Sequence, residues 1–186
     1  IYVTPSRLPA ETQAGIVAAT AKAAVALGLR TGPVHAELRV NGRGPWIVEI
    51  AGRSIGGRCS TILEFGTGMS LEELILRHAV GLPLPALERA GNAAGVMMIP
   101  IPAAGILTGC SGVEEAAATP GVTGVEISAP IGGPIVPLPE GASYLGFIFA
   151  RGADPATVET ALRAAHAKLR FTIKPEIPVL PMLTPR

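Results

Sequence analysis

Aromatic side chains are scarce in this chain: one Trp, two Tyr and four Phe among 186 residues. A platform that stacks nucleic-acid bases needs more of them. Charge is also thin, at 16% of residues, and nearly balanced, with 15 Lys and Arg against 14 Asp and Glu. The resulting net charge of +1 leaves no electrostatic case for nucleic acid or an anionic membrane surface as a partner. Aspartate occurs once, at Asp154, and lysine only at Lys22, Lys168 and Lys174. The two cysteines, Cys59 and Cys110, lie outside any C-x-x-C spacing, which excludes a zinc ribbon and a disulfide framework. Two buried, reduced thiols in a cytoplasmic protein are expected instead. No basic stretch followed by an apolar run opens the sequence. The longest uncharged run, Ala90 to Val113, is interrupted by Asn92, Pro100, Pro102 and five glycines. Strands joined by turns are therefore predicted there, not a membrane span.

What the chain does have is apolar residues, 48% of the total, enough to outweigh 23 glycines and 18 prolines and to exclude disorder. Its length suits one ordinary domain or two small ones. A helix is expected over 9–29, with Ile16, Val17, Ala21, Ala24 and Leu27 at helical spacing and Gly28 as its stop. Strands at Val34–Val40 and Trp46–Ala51 flank Asn41-Gly42-Arg43-Gly44-Pro45, a hairpin signal. A glycine-rich loop, Gly52–Arg58, follows. Ser70 with Glu73 three residues on marks the start of a helix running to Val80. Composition shifts over Pro83–Asn92, a predicted linker. Beyond it, strands are expected at Gly95–Ile101, Val122–Ser128 and Tyr144–Ala150, with a short helix at Val113–Ala118. Asp154-Pro155 begins a further helix with the apolar stripe Val158, Leu162, Ala165 and Leu169. Phe171–Ile173 suits a last strand, and the prolines from Pro175 onward suit an extended tail.

The hairpin admits two registers. A shorter loop pairs Val40 with Pro45 and Leu38 with Ile47. A five-residue loop pairs Val40 with Trp46, Leu38 with Val48 and Ala36 with Ile50, gathering apolar residues on one face. That gathering sets register in a half-buried sheet, so the second is expected throughout. Its other face then carries His35 opposite Ala51, Glu37 opposite Glu49 and Arg39 opposite Ile47. Two carboxylates directly opposite repel each other, and a divalent cation between them would relieve this. Arg53, of the same parity, reaches toward the same space, where an arginine would serve a transferring phosphate. The plainer reading is a solvated face on which Arg39 and Arg53 neutralise two glutamates.

Gly28-Leu29-Arg30-Thr31-Gly32-Pro33-Val34-His35-Ala36-Glu37, followed by Ile47-Val48-Glu49-Ile50-Ala51-Gly52-Arg53, resembles the C-terminal half of an ATP-grasp domain. In that superfamily a helix leads into a strand with an acidic magnesium ligand. The next strand carries Glu-x-Asn-x-Arg, with Glu and Asn on magnesium and Arg on the phosphates. By this resemblance Glu37 and Glu49 are metal ligands, and Arg53 is catalytic and, with Glu49, holds the ATP phosphates. Ala51 stands where the asparagine would be, so that ligand is absent. Gly56 and Gly57, with Ser54, resemble the substrate-side loop of the L-amino-acid ligases, and His35 is a second-tier candidate. Ala94-Gly95-Val96-Met97-Met98 through Gly109, Tyr144–Arg151 and the Asp154 helix resemble the small C-terminal domain of those ligases.

The resemblance implies an α+β fold: the C-terminal half of an ATP-grasp domain, an antiparallel sheet with helices, over 1–90. A small β-rich α+β domain over 91–174 and a tail over 175–186 follow. It further implies a cytoplasmic, ADP-forming carboxylate–amine ligase working through an acyl-phosphate, with ATP and Mg2+ (or Mn2+) as cofactors. Its partners would be a small-molecule carboxylate and an amine. Carbamoyl-phosphate-synthetase-like or biotin-carboxylase-like chemistry shares the same half-domain. An ATP-grasp site also needs two lysines for the phosphates, a glycine-rich lid and an adenine pocket, none of which the three lysines here suit. The expectation is a piece of a longer protein, inactive alone and completed by an N-terminal remainder, with a homodimer as a further possibility.

Two other readings compete. The segment could be a non-catalytic packing or dimerisation module, which Ala51 favours. Gly52-Arg53-Ser54-Ile55-Gly56 also matches the Gly-x-Ser-x-Gly elbow of serine hydrolases. That chemistry needs a histidine and an acid; His166 lies about 18 Å along the helix from Asp154, which leaves a glutamate with His35 or His78 as the partners Ser54 could use. Gly52 and Gly57 have P-loop spacing, but Arg58-Cys59 replaces the Lys-Ser/Thr pair, which excludes that motif.

Overall fold

The computed structural model describes residues 1–84, 87–89 and 91–176. The chain runs β1 (Tyr2–Thr4), α1 (Ala10–Ala26), β2 (His35–Asn41) and β3 (Gly44–Ala51), then a 3-10 turn at Cys59–Ile62. It continues with β4 (Glu64–Phe65), β5 (Met69–Ser70), α2 (Leu71–Ala79), β6 (Ala93–Ile99), β7 (Gly105–Ser111) and α3 (Val113–Ala117). The last elements are β8 (Val122–Ile127), β9 (Pro134–Ile135), β10 (Gly146–Gly152), α4 (Pro155–His166) and β11 (Arg170–Lys174). From residue 177 the expected proline-rich tail lies outside the described residues, as do Pro85, Ala86 and Ala90 of the expected linker.

The fold is α+β with antiparallel pairing throughout, as expected. One sheet has the order β1-β6-β10-β8, a second β11-β7-β9, and β2-β3 and β4-β5 are separate hairpins. Strand β6 is the organising element because both of its faces are covered. Ala93, Met97 and Ile99 point into the larger core, with Ile148, Val158, Leu162 and Ala165. Ala94, Val96 and Met98 belong to a second cluster with Cys59, Ile62, Phe147 and Phe149. A strand buried on both faces reads as an unbroken apolar run, which is what Ala93–Ile99 is. Gly95 sits where α4 crosses closest: a Cβ there would stand 2.7 Å from Val158 Cγ1.

Helix α4 starts as expected, with Asp154 Oδ1 accepting from the N–H groups of Ala156 and Thr157, each at 2.9 Å. Its stripe of Val158, Leu162, Ala165 and Leu169 is buried. At α2, Ser70 Oγ accepts from the Glu73 N–H at 3.1 Å. Glu73 does not complete a capping box, since its carboxylate pairs with Arg77 one turn on at 2.8 Å. Helix α1 corrects its expected stripe. It lies on β3, with Gly15 against the Pro45 ring, yet Val17 (67% exposed) and Leu27 (61%) stay in the open and no residue of the helix is buried. Both cysteines are free; Cys59 is buried, whereas Cys110 is only half-buried. No helix among the described residues is long and apolar enough to cross a membrane.

Candidate active site

The β2–β3 hairpin contains both registers considered above, joined by a bulge. Next to the turn, Asn41 pairs with Gly44, Val40 with Pro45, Arg39 with Trp46 and Leu38 with Ile47. Beyond the bulge, Glu37 pairs with Glu49, Ala36 with Ile50 and His35 with Ala51. The expected pairs Val40–Trp46, Leu38–Val48 and Arg39–Ile47 are therefore replaced. The cause is local: a two-residue connection, Gly42-Arg43, closes the turn, with Gly44 at φ +111°. A two-residue connection favours close pairing of its flanks. Val48 is the extra residue that lets the far end regain the register in which the glutamates oppose.

Glu37 and Glu49 thus share one face, and the structure brings Arg53 to them. Arg53 Nη2 lies 3.2 Å from Glu49 Oε1, while its Nη1 donates to the Ser54 carbonyl at 3.0 Å. His35 Nε2 lies 3.5 Å from Glu37 Oε1, with the imidazole side chain only 13% exposed. Exposed pairs of this kind contribute about 1 kcal/mol or less to stability, so their consequence is orientation. His35, Glu37, Arg53, Gly56 and Gly57 line one open cleft of about 210 Å³. Glu49 is not part of its lining and reaches it through Arg53. Ser54 contributes its carbonyl to Arg53 and is likewise outside the lining.

Sequence reasoning missed the rest of the cleft: Tyr2, Ile55, Met98 and Tyr144. Burial pushes the Tyr2 phenol above its ordinary range, and the charges of Cys59, Glu37 and Tyr144 push the same way. Two arginines tie the loop region to the larger sheet. Arg58 pairs with Glu126 at 2.9 Å, and Arg151 pairs with Glu64. Arg58 has φ +60° and is the one non-glycine with positive φ among the described residues. The only signal that pointed to the missed wall was compositional: in a chain poor in aromatics, both tyrosines line it.

Two carboxylates oppose each other on one face, with side chains 52% and 51% exposed, and offer hard oxygen donors. Among the described residues there is no group of three His, Cys, Asp or Glu side chains able to hold a metal. The pair suits an ion that takes its remaining ligands from phosphates and water, as magnesium does, and not a closed protein cage. Among the described residues Ser54 makes no hydrogen bond to a histidine: His78 Nε2 accepts from the Gly32 N–H at 3.2 Å, and His35 faces Glu37.

Residues 1–62 match the family described as ATP-grasp domain, and residues 97–174 match L-amino acid ligase C-terminal domain 2. Among solved structures, an L-amino acid ligase from Bacillus licheniformis is 29% identical with a TM-score of 0.77, covering 93% of this chain and 44% of that one. N5-carboxyaminoimidazole ribonucleotide synthetase from Thermotoga maritima is 19% identical, with a TM-score of 0.68 over 92% of this chain and 45% of its own. Phosphoribosylglycinamide synthetase from Anaerococcus prevotii is 15% identical, with a TM-score of 0.73 over 92% and 44%. These last two share the fold. A curated relative, the uncharacterized protein y4rH of Sinorhizobium fredii, is 25% identical over 150 residues, 81% of this chain and 31% of its own length. The chain therefore spans less than half the length of the proteins it matches. Residues 1–62 are therefore similar to an ATP-grasp domain and residues 97–174 to the second C-terminal domain of the L-amino acid ligases, and the chain as a whole shares its fold with an L-amino acid ligase.

Proposed function

We propose that this chain forms one wall of the active site of an ATP-dependent carboxylate–amine ligase. One observation carries the reading: Glu37 and Glu49 oppose each other beyond the Val48 bulge, with Arg53 on Glu49 and in the same cleft as Glu37. A strand that spends an irregularity to place two like charges face to face has a use for them. Glu37 and Glu49 would hold magnesium with the nucleotide, which when bound neutralises phosphate charge during transfer.

Arg53 is held in place by Glu49 and the Ser54 carbonyl, so its guanidinium meets the γ-phosphate and the acyl-phosphate without first losing its freedom. Guanidinium geometry favours bidentate contact with phosphate. His35, its side chain mostly buried, steadies Glu37 from two residues before it on the same strand face. Gly56 and Gly57 let the backbone approach the substrate side of the cleft. In ligases of this type the carboxylate is phosphorylated by ATP, the amine attacks the acyl carbon, and phosphate leaves. The remaining half of the ATP site belongs to an N-terminal remainder of the protein. The bare Val17 and Val25 on α1, with Leu27 just past its end, are the surface such a remainder would cover.

The alternative, a module that no longer reacts, is favoured by Ala51 at the position opposite His35. Calorimetry of the full-length protein with Mg-ATP separates the two. A ligase binds nucleotide in a magnesium-dependent way that Glu49→Gln weakens by roughly tenfold or more, on the scale of losing one charge-assisted contact. Equal binding by wild type and variant favours the module.

A further inference from the structure

Arg58 has a backbone conformation that an arginine has no local reason to adopt. The Cys59 N–H donates to the Gly56 carbonyl at 3.1 Å, closing a four-residue turn. Its two central residues, Gly57 at φ +63° and Arg58 at φ +60°, are both left-handed. Turns of that hand favour Gly, Asn or Asp at these positions, because a larger side chain crowds the backbone. Such a residue persists only where its surroundings hold it, and such residues cluster at functional sites. Here the side chain does the holding. Arg58 Nη1 lies 3.1 and 2.9 Å from the two carboxylate oxygens of Glu126 on β8. Its guanidinium stands 5.9 Å from the ring centre of Phe147 and 5.6 Å from that of Phe149, both on β10. The three partners share one sheet face: Glu126 pairs with Phe147 across the strands, and Phe149 follows two residues on.

These contacts add little net stability. Arg58 and Glu126 are each about half exposed, where an ion pair and a cation–π contact are both weak. Together they do little more than offset the left-handed backbone. What they fix is position. In the run Gly56-Gly57-Arg58 the arginine carries the only side chain, and the two glycines before it line the cleft with Arg53 and Glu37. A larger residue cannot replace Gly57 to stiffen the loop, because its Cβ would stand 2.8 Å from Met98 Sδ.

We propose that Arg58 is a positioning residue: clamped to Glu126 and to the Phe147–Phe149 pair, it holds the Gly56-Gly57 backbone in place beside Arg53. The inference rests on the ligase reading above and adds a residue that does not itself line the cleft. Without the clamp, two glycines in a row regain the widest backbone freedom of any residue. The loop then leaves the alignment that the reacting groups need, and a displacement of about 1 Å is enough to cost much of the rate. Nucleotide binding, which the ligase reading gives to Glu37, Glu49 and Arg53, does not depend on the clamp.

The test compares phosphate release by the full-length protein, with Mg-ATP and a mixture of the protein amino acids, against Mg-ATP affinity by calorimetry. Arg58→Gly loses the clamp but suits the left-handed backbone, so its melting temperature should stay close to that of wild type. Its rate at saturating Mg-ATP should fall by about tenfold or more while its Mg-ATP affinity is unchanged. Glu126→Gln removes the partner on β8 without altering the loop and should act in the same direction. Combining the two should lower the rate no further than Arg58→Gly alone, because both break one clamp. A wild-type rate in Arg58→Gly, or effects that multiply in the double variant, overturn the proposal and leave the ligase standing. A lower melting temperature with an unchanged rate overturns it too, since the clamp is then only a fold contact. Absence of phosphate release by wild type overturns the ligase reading and this proposal together.

Discussion

In the proposed ligase reading Arg53 is the residue that meets the phosphate, and its surroundings suit an arginine there. Its two terminal nitrogens already serve different partners, Nη2 on Glu49 and Nη1 on the Ser54 carbonyl. A lysine offers a point charge on a flexible stem and cannot span both while facing a phosphate. Arg53→Lys in the full-length protein is therefore expected to keep the fold and lower kcat by about a hundredfold, the scale of removing one preorganised donor. Steady-state kinetics alongside the melting temperature check this. Near-wild-type kcat in Arg53→Lys would mean that charge alone suffices and that the fork geometry is incidental.

At the scale of elements, α4 depends on its cap. Asp154 accepts from the Ala156 and Thr157 N–H groups and from the Thr157 hydroxyl at 2.9 Å. These bonds, the Thr157 N–H foremost, hold its carboxyl below the ordinary aspartate value of 3.8. A carboxyl depressed in the folded state stabilises it above the unfolded value, and that contribution is lost as pH falls through the folded value. Asp154→Ala should lower the melting temperature at neutral pH, and the gap to wild type should close as pH drops below about 4. A gap independent of pH would place the effect in packing.

Helix α4 was legible in the sequence because its cap, its proline and its stripe are all local. The hairpin was legible as an element, and so was the pairing of Glu37 with Glu49. Its split register was not, because the tight Gly42-Arg43 connection and the apolar face make competing demands that only the Val48 bulge reconciles. The stripe on α1 misled for a different reason: helical spacing marks apolar residues without saying what covers them. The wall of Tyr2, Met98 and Tyr144 was illegible, since the order β1-β6-β10 joins residues from opposite ends of the chain.

For the whole molecule, the hairpin's glycine loop and the C-terminal strands meet on one sheet surface. The four-stranded sheet packs α4 on one face and receives the glycine loop on the other, so Glu37 of the hairpin and Tyr144 line one cleft. Arg58–Glu126 and Arg151–Glu64 hold that arrangement from both sides of the 3-10 turn. In the proposed reading the opposed glutamates belong to a ligase site. Coupled measurement of phosphate release and amide formation by the full-length protein, wild type against Glu37→Gln, tests it most directly. One phosphate released per amide formed is expected in wild type, with both falling together by about a hundredfold or more in the variant. Both products forming at wild-type rates in Glu37→Gln would contradict it.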